Sequence, residues 1–389
     1  YDTAQEKWSP IGTDILSTFG DTGGGWRHRD RISLCGDGTK IAFGAPMYSF
    51  ESEGTEEWNA EIGKVSVYKI IEVTTTQVEI IPPDPNAPVY TPLDTAVQLG
   101  QTIEDDEVTH MKSVSINSDG TIVAVGIPDD IWVGSGVVQV YQYNENGQWV
   151  QLGQDIYGET ENDRSGSSIS LSDDGFTLAI CAPQATNSDG YNVGQVRVYQ
   201  LVGGIAWTQL GQDINGGLEG QDSPLANTDK IAFSVSLSSD GTIVAIGSQS
   251  NSSRDVEVFQ YFPEIENGSW VQLGNNFGDG EPLFGYSVSL SSDGTIVAVG
   301  NFGGQSDEGE RAGVVKIWQY VTQQEAAGTS QTWQQLGGDI YGEAMGDQSG
   351  YSISLSSDGT IVAIGAPYND QTFEGDGPDN PSQGHVRIY

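Results

Sequence analysis

Six times along the chain the same short phrase returns. It reads RISLCGDGTKIAFGAP from Arg31, SVSINSDGTIVAVGIP from Ser113, SISLSDDGFTLAICAP from Ser168, SVSLSSDGTIVAIG from Ser234, SVSLSSDGTIVAVG from Ser287 and SISLSSDGTIVAIGAP from Ser352. The aspartates at its centre are Asp37, Asp119, Asp174, Asp240, Asp293 and Asp358, spaced between 53 and 82 residues apart. Such spacings are too long for solenoid repeats and suit four-stranded units with loops of variable length. Between the two strands of each phrase lies Ser-Asp-Gly-Thr or a close variant. Asp and Gly tolerate the positive φ that a two-residue hairpin requires, so a tight two-residue turn is expected there.

Each unit continues in the same way. A third strand is read in GKVSVYKI, GVVQVYQY, GQVRVYQL, DVEVFQY, GVVKIWQY and GHVRIY, and a fourth in WVQLGQDI from Trp149, WTQLGQDI from Trp207, WVQLGNNF from Trp270 and WQQLGGDI from Trp333. The first unit has AVQLGQTI, with Ala96 in the Trp place. The last unit stops at Tyr389 on its third strand, while WSPIGTDI from Trp8 supplies a detached fourth strand at the other end of the chain. The expected fold is therefore all-β, one domain over residues 1–389. It is a six-bladed β-propeller with four antiparallel strands per blade, the N-terminal strand closing the last blade so that no edge is left free. The uniformly apolar second strand (TIVAIG) suits a sheet covered on both faces, and the Ser-rich first strand suits the narrow region near the axis. The recurrent Trp149, Trp207, Trp270 and Trp333 read as structural, since they keep one position whatever the loops do.

Phe284-Gly285 followed by YSVSL, and Gly44-Ala45-Pro46 and Gly365-Ala366-Pro367 at the end of the second strand, resemble the two signature elements of the FG-GAP propellers, the family of the integrin α-subunit head. Cys181-Ala182-Pro183 is a near match, and the similarity runs through the strand cores of all six units. The resemblance implies an extracellular or cell-surface protein that adheres or binds a ligand. Two features depart from the family: integrin heads have seven blades, and the family's calcium hairpin, Asp-x-Asp-x-Asp-Gly, is shortened here to Ser-Ser-Asp-Gly. WD-repeat propellers share the strand order and a similar Asp-Gly turn, but their Gly-His and Trp-Asp signatures are absent from this chain. Sialidase Asp-boxes need Ser-x-Asp-x-Gly and an aromatic residue, which this turn lacks.

Asp and Glu number 54 against 15 Lys and Arg, a formal charge of −39. That balance disfavours nucleic acid, which needs clustered cations to release counterions, and anionic membrane surfaces. No apolar run is long enough to span a bilayer, so membrane insertion is not expected. A start at Tyr1 without Met suggests a processed product or an excised domain, and favours a secretory history. Cys35 and Cys181 cannot form a disulfide framework for so long a chain, and they fall in different blades at opposite strand ends, so they are expected to remain unpaired.

If the first strand is innermost, the short Asp-Gly turns share one face and the long loops gather on the other. Those loops are Pro46 to Ile62, Pro128 to Gly136, Pro183 to Gly194, Gly303 to Gly313 and Pro367 to Gly384. Loops on a rigid scaffold are where binding usually resides. They are acidic, with Glu51, Glu53, Glu56 and Glu57 in one, Asp129 and Asp130 in another, and Asp307, Glu308 and Glu310 in a third. The last holds Asp370, Glu374, Asp376 and Asp379, candidate ligands for Ca²⁺, although no loop contains an intact D-x-[DN]-x-[DN]-G motif. Trp132, Trp58 and Trp26 fall in the same set of loops, where an amphipathic ring can anchor a protein or stack on a sugar, and Trp132 beside Asp129 and Asp130 is the leading candidate.

Catalytic signals are thin. His28, His110 and His385 are dispersed and fit no metal spacing, neither cysteine has the context of an activated thiolate, and no nucleophile elbow is present. Asn251 and Asn267 head N-x-Ser sequons that a secreted chain could glycosylate. The reading is a non-enzymatic binding or adhesion propeller taking a protein or glycan on its acidic loop face. The alternatives are a homo-assembling component of an extracellular coat or fibre, and a polysaccharide-active enzyme.

Overall fold

The computed structural model describes residues 31–45, 49–50, 59–60, 64–71, 95–104, 112–128, 134–187, 192–216, 229–250, 256–265, 268–278, 281, 283–305, 311–325, 328–369 and 384–389. They form an all-β, six-bladed propeller of antiparallel blades. The first blade runs Arg31–Leu34, Lys40–Ala45, Lys64–Ile71 and Thr95–Gln98 from the inside out. The second comprises Ser113–Ile116, Ile122–Ile127, Val137–Tyr143 and Trp149–Gln151, and the third Ser168–Leu171, Thr177–Ala182, Gln195–Val202 and Ala206–Gln209. The fourth is Asp229–Leu237, Ile243–Ser250, Val256–Phe262 and Ser269–Gln272, and the fifth Ser287–Leu290, Ile296–Asn301, Val314–Glu325 and Gly328–Gln335. Three strands of the sixth are described: Ser352–Leu355, Val362–Ala366 and His385–Ile388. The expected strand from Trp8 to Ile15 lies outside the described residues.

The first strands meet around the axis, and their serines do more than save space. Ile116 N–H donates to Ser33 Oγ (3.1 Å), Leu171 N–H to Ser115 Oγ (3.0 Å), Leu237 N–H to Ser170 Oγ (3.0 Å), Leu290 N–H to Ser236 Oγ (3.0 Å) and Leu355 N–H to Ser289 Oγ (2.9 Å). Each bond joins one blade to the next. A second series runs through the turns, where Gly36, Ser118, Asp173, Ser239 and Ser292 each donate a backbone N–H to the carbonyl of Ser118, Asp173, Ser239, Ser292 and Ser357 in turn. The innermost strand has no further strand to pair with, so the neighbouring blade satisfies its inward amides.

Apolar packing follows the same logic. Ile122, Ala124, Val138 and Val140 of the second blade bury against Ile169, Leu171, Leu178 and Ile180 of the third, and equivalent clusters fill four other junctions. Every residue of Ile122–Ile127 and Thr177–Ala182 is buried, as expected of strands covered on both faces.

Three local expectations need correction. The Asp-Gly connection is a four-residue loop rather than a two-residue hairpin: Asn117 N–H donates to Ile122 O (3.0 Å) and Gly120 N–H to Asn117 O (3.0 Å). Only the glycine, at φ 66° in Gly120, enters the left-handed region, and the aspartate acts as an acceptor for the Thr that follows. The fourth strand is broken in two, since Trp149–Gln151 and Ile156–Tyr157 both pair with Val137–Tyr143. The break falls at Leu152-Gly153, where Gly153 (φ 81°) makes room for Trp207 of the next blade. Trp207 Nε1–H donates to Leu152 O (2.8 Å), while Gln154 holds the Trp207 backbone at both N (3.0 Å) and O (2.7 Å). The same lacing links Trp149 to Leu99, Trp270 to Leu210 and Trp333 to Leu273. Finally, the loop from Pro46 to Ile62 carries a small ladder, Ser49–Phe50 against Asn59–Ala60.

Candidate functional site

On the turn face the aspartates are already occupied. Asp293 Oδ1 accepts from Ser291 Oγ (2.8 Å), Thr295 N–H (3.0 Å) and Thr295 Oγ1 (2.8 Å), and the same pattern recurs at Asp240 and Asp358. In the first turn Cys35 Sγ replaces the serine and donates to Asp37 Oδ1 (3.0 Å). Hydrogen bonds from Cys35 and then Thr39 hold Asp37 at about 2, and bonds from Ser356 and Thr360 hold Asp358 at about 2. For Asp119, Asp240 and Asp293, burial is the largest single influence and pushes upward, but the turn's donors together outweigh it and lower all three. One oxygen of each of Asp240, Asp293 and Asp358 is thus held by three donors within its own turn.

The loop face is different. First strands begin there and second strands end there, so a residue just before Ser287 or Ser352, or just after Asn301, lies on that face, and Phe233 joins them at the register shift before Ser234 in the longer first strand of the fourth blade. In the last three blades those positions are Phe233, Tyr286, Tyr351 and Phe302, and all four are half-buried. Tyr286 meets Phe302 edge-on with centroids 4.5 Å apart, Tyr351 at 5.0 Å and Phe233 at 4.8 Å, while Phe302 and Tyr351 are 5.6 Å apart. Four aromatic rings thus gather at one side of the inner end of the blades, partly open to solvent. Such rings present a large, rigid apolar area, the feature that anchors protein and sugar partners. The signal was present in the sequence as an aromatic residue before SVSL or SISL in units four to six.

Two connections between blades carry a matching polar arrangement. The loops entering the third and sixth blades share a Gly-Glu-x-x-x-Asp pattern, Gly158 to Asp163 and Gly342 to Asp347. Asp163 is buried and accepts from Glu159 N–H (3.1 Å) and Thr160 N–H (2.8 Å); Asp347 is buried and accepts from Glu343 N–H (3.1 Å) and Ala344 N–H (2.8 Å). Each Glu reaches an arginine on the third strand: Glu159 is 3.6 Å from Arg197 and Glu343 3.5 Å from Arg387. In the sixth blade Asn369 Nδ2 bridges Glu343 (3.1 Å) and Asp347 (2.8 Å), and His385 Nδ1 stands 3.5 Å from Glu343. Arg164, Leu283 and Gln348 take positive φ (59°, 68° and 57°) at matching places two residues before a glycine. These carboxylates hold their loops in shape. Sequence reasoning missed the pairing because Glu159 and Arg197 are separated by a whole hairpin.

Trp132, Asp129, Asp130, Trp58, Trp26, Asp370, Glu374, Asp376, Asp379, Asn251 and Asn267 all lie outside the described residues. Pro128 and Gly134, which flank the Trp132 loop, are described, and Pro128 directly follows the second strand at its loop-face end. Asn369 ends the described part of the sixth blade's loop directly before Asp370. Among the described residues no three His, Cys, Asp or Glu side chains group so as to hold a metal ion. No helix of the described chain is long and apolar enough to cross a membrane. Cys35 and Cys181 are buried free thiols, as expected.

No protein-family model matches the chain, and no curated protein matches it. Two solved structures share a general likeness of fold. Kuenenia stuttgartiensis hydrazine synthase has 14% identity over 86% of this chain and 91% of its own, with a TM-score of 0.45. The β-propeller domain of Myceliophteria thermophila Cps50 (Swd1) has 10% identity over 86% of this chain and 78% of its own, with a TM-score of 0.48.

Proposed function

We propose that this chain is a non-enzymatic binding propeller of the FG-GAP type, extracellular or cell-surface, that takes a protein or glycan partner on its long-loop face. The observation that carries the reading is the contrast between the two faces. Each turn-face carboxylate gives one oxygen to its own turn, and the hairpins are near-identical, with little to distinguish one partner from another. The loop face gathers Phe233, Tyr286, Phe302 and Tyr351 within one cluster, and the segments that connect the strands on that side are acidic and differ in sequence. Asp129, Asp130 and Trp132 extend that surface in this reading, the carboxylates after Pro367 are its cation ligands if Ca²⁺ takes part, and Asn251 and Asn267 are its glycosylation sites.

An array of immobilised glycans and extracellular matrix proteins tests the reading. Wild type should bind a defined subset, and Tyr286→Ala with Tyr351→Ala should lose at least tenfold in affinity at a temperature where circular dichroism shows the variant folded. A control substitution on the other face, Thr295→Lys, should leave binding intact. Binding that survives the loop-face pair, or disappears with the turn-face control, would remove the proposal.

A further inference from the structure

The loops entering the third and sixth blades share one pattern, and the differences between the two copies converge on Asp347. In the third blade Asp163 gives Oδ2 to two backbone amides and Oδ1 to the Thr160 hydroxyl. In the sixth, Ala344 stands in the Thr160 place, and Glu343 N–H, Ala344 N–H and Asn369 Nδ2 all donate to Asp347 Oδ2. Asp347 Oδ1 thereby lacks the donor that its twin has. Asp347 is 3% exposed and makes no ion pair among the described residues, whereas Glu343 has Arg387 beside it. Buried carboxylates are ordinarily paired with a cation or fully hydrogen-bonded.

A second difference points the same way. Asn369 occupies the place of Ala185, since each donates its backbone N–H to the alanine that ends its second strand, Ala366 or Ala182. Asn369 is 5% exposed, and its Nδ2 bridges Glu343 and Asp347. A carboxylate only accepts, so these contacts fix which amide atom is the nitrogen. Asn369 Oδ1 is then a buried acceptor among the carboxylates with no donor of its own. An acceptor left in that state is costly, and alanine in the twin avoids it. The loop is also stripped of polar cover. Glu161 and Asn162 of the third blade give way to Met345, 74% exposed, and Gly346, where a Cβ would meet nothing within 4 Å.

We propose that this sixth-blade pocket takes the ammonium of a lysine side chain from a protein partner. The ammonium enters beside Gly346 and donates to Asp347 Oδ1 and Asn369 Oδ1, and Asp347 supplies the opposite charge. It is a compact charge with rotatable donors on a four-carbon stem, so its head reaches buried acceptors while the methylenes lie on Met345. A guanidinium pairs best with both oxygens of one carboxylate, and Asp347 Oδ2 is already taken by three donors. The formal charge of −39 draws cationic partners to the chain. None of the four clustered rings takes part, so the pocket is separable from whatever they bind.

Titrating the isotope-labelled chain with Nα-acetyl-lysine methylamide, followed at the Asp347 backbone amide by nuclear magnetic resonance, tests the pocket. The resonance should move to saturation with the lysine compound and stay still with its uncharged norleucine analogue. Asn369→Ala and Ala344→Thr each restore a residue that the third blade already carries, the first removing an acceptor and the second giving Asp347 Oδ1 a hydroxyl donor. Each should weaken binding roughly tenfold while the remaining amide spectrum stays that of the folded chain. No saturable shift would overturn the proposal, leaving water as the partner of Asn369 Oδ1. Undiminished binding in both variants would do the same. So would an equal response to glucosamine or to Ca²⁺, which would assign the pocket to an amino sugar or a metal ion.

Discussion

Truncating one outer tryptophan measures how strongly a blade depends on its neighbour. Trp207 is 4% exposed, lies in the cluster with Ile122, Val138, Ile169 and Leu178, and fills the space over Gly153. An aromatic ring of this size buries on the order of 150–250 Å², worth roughly 4–6 kcal/mol at about 25 cal/mol per Å². Large-to-small changes of this kind cost about 3–5 kcal/mol in cores that relax only in part, so Trp207→Ala should fall in that range. Trp207→Phe keeps most of the area but deprives Leu152 O of its indole donor at 2.8 Å, which should cost about 1–3 kcal/mol. Val150, on the equivalent strand of the preceding blade, is 49% exposed, and Val150→Ala should change stability by no more than about 0.5 kcal/mol. Urea unfolding followed by fluorescence and circular dichroism gives all three values. Trp207→Ala within about 1 kcal/mol of wild type would refute inter-blade lacing. Trp207→Phe costing as much as Trp207→Ala would refute the division between area and hydrogen bond.

Further outcomes follow from the same contacts. A Cβ on Gly247 would overlap the carbonyl oxygen of Gly285 in the next blade, so Gly247→Ala should destabilise by several kcal/mol, whereas Gly338→Ala, with open space around it, should lie within about 0.5 kcal/mol of wild type; equal melting of the two would contradict the packing. Asp358 is held at about 2 against an ordinary 3.8, so its charge stabilises the fold above about pH 4 and that contribution is lost as pH falls toward 2. Comparing wild type with Asp358→Asn cancels the general relief of negative charge on acidification; the stability difference should be constant from pH 5 to 7 and shrink between pH 4 and 2, and a difference that instead shrinks above pH 5 would be inconsistent with it. Burial pushes the Cys181 thiol far above its usual range, so it should resist alkylation in the native protein at pH 8 and react fully after denaturation; rapid native labelling of Cys181 would place it outside the core.

The architecture was legible because repetition multiplies a weak signal. A single SVSLSSDGTIVAIG could be any hairpin, but six copies, each followed by an aromatic-ended third strand, leave few folds that bury so many uniformly apolar second strands. What the sequence hid was the space between repeats. The serines of the first strand read as small residues, yet Ser33, Ser115, Ser170, Ser236 and Ser289 act as acceptors across the blade junctions. The fourth strand read as continuous through Leu152-Gly153-Gln154, because its break is imposed by Trp207, more than fifty residues later. The site was less legible still. Sequence reasoning followed carboxylates and tryptophans in long loops. The aromatic cluster is assembled from Phe233, Tyr286, Phe302 and Tyr351, which become neighbours only when the first strands of three blades meet around the axis.

Native-state amide hydrogen exchange on the intact chain tests the central claim, that the repeats form one ring in which each blade satisfies the next. Ile116, Leu171, Leu237, Leu290 and Leu355 each donate their amide to a serine of the preceding blade. These five amides should exchange slowly and together, with protection approaching the global unfolding free energy and falling in parallel as urea is added. Exchange at the rate of an exposed strand edge, or blades opening one by one at separate urea concentrations, would contradict it.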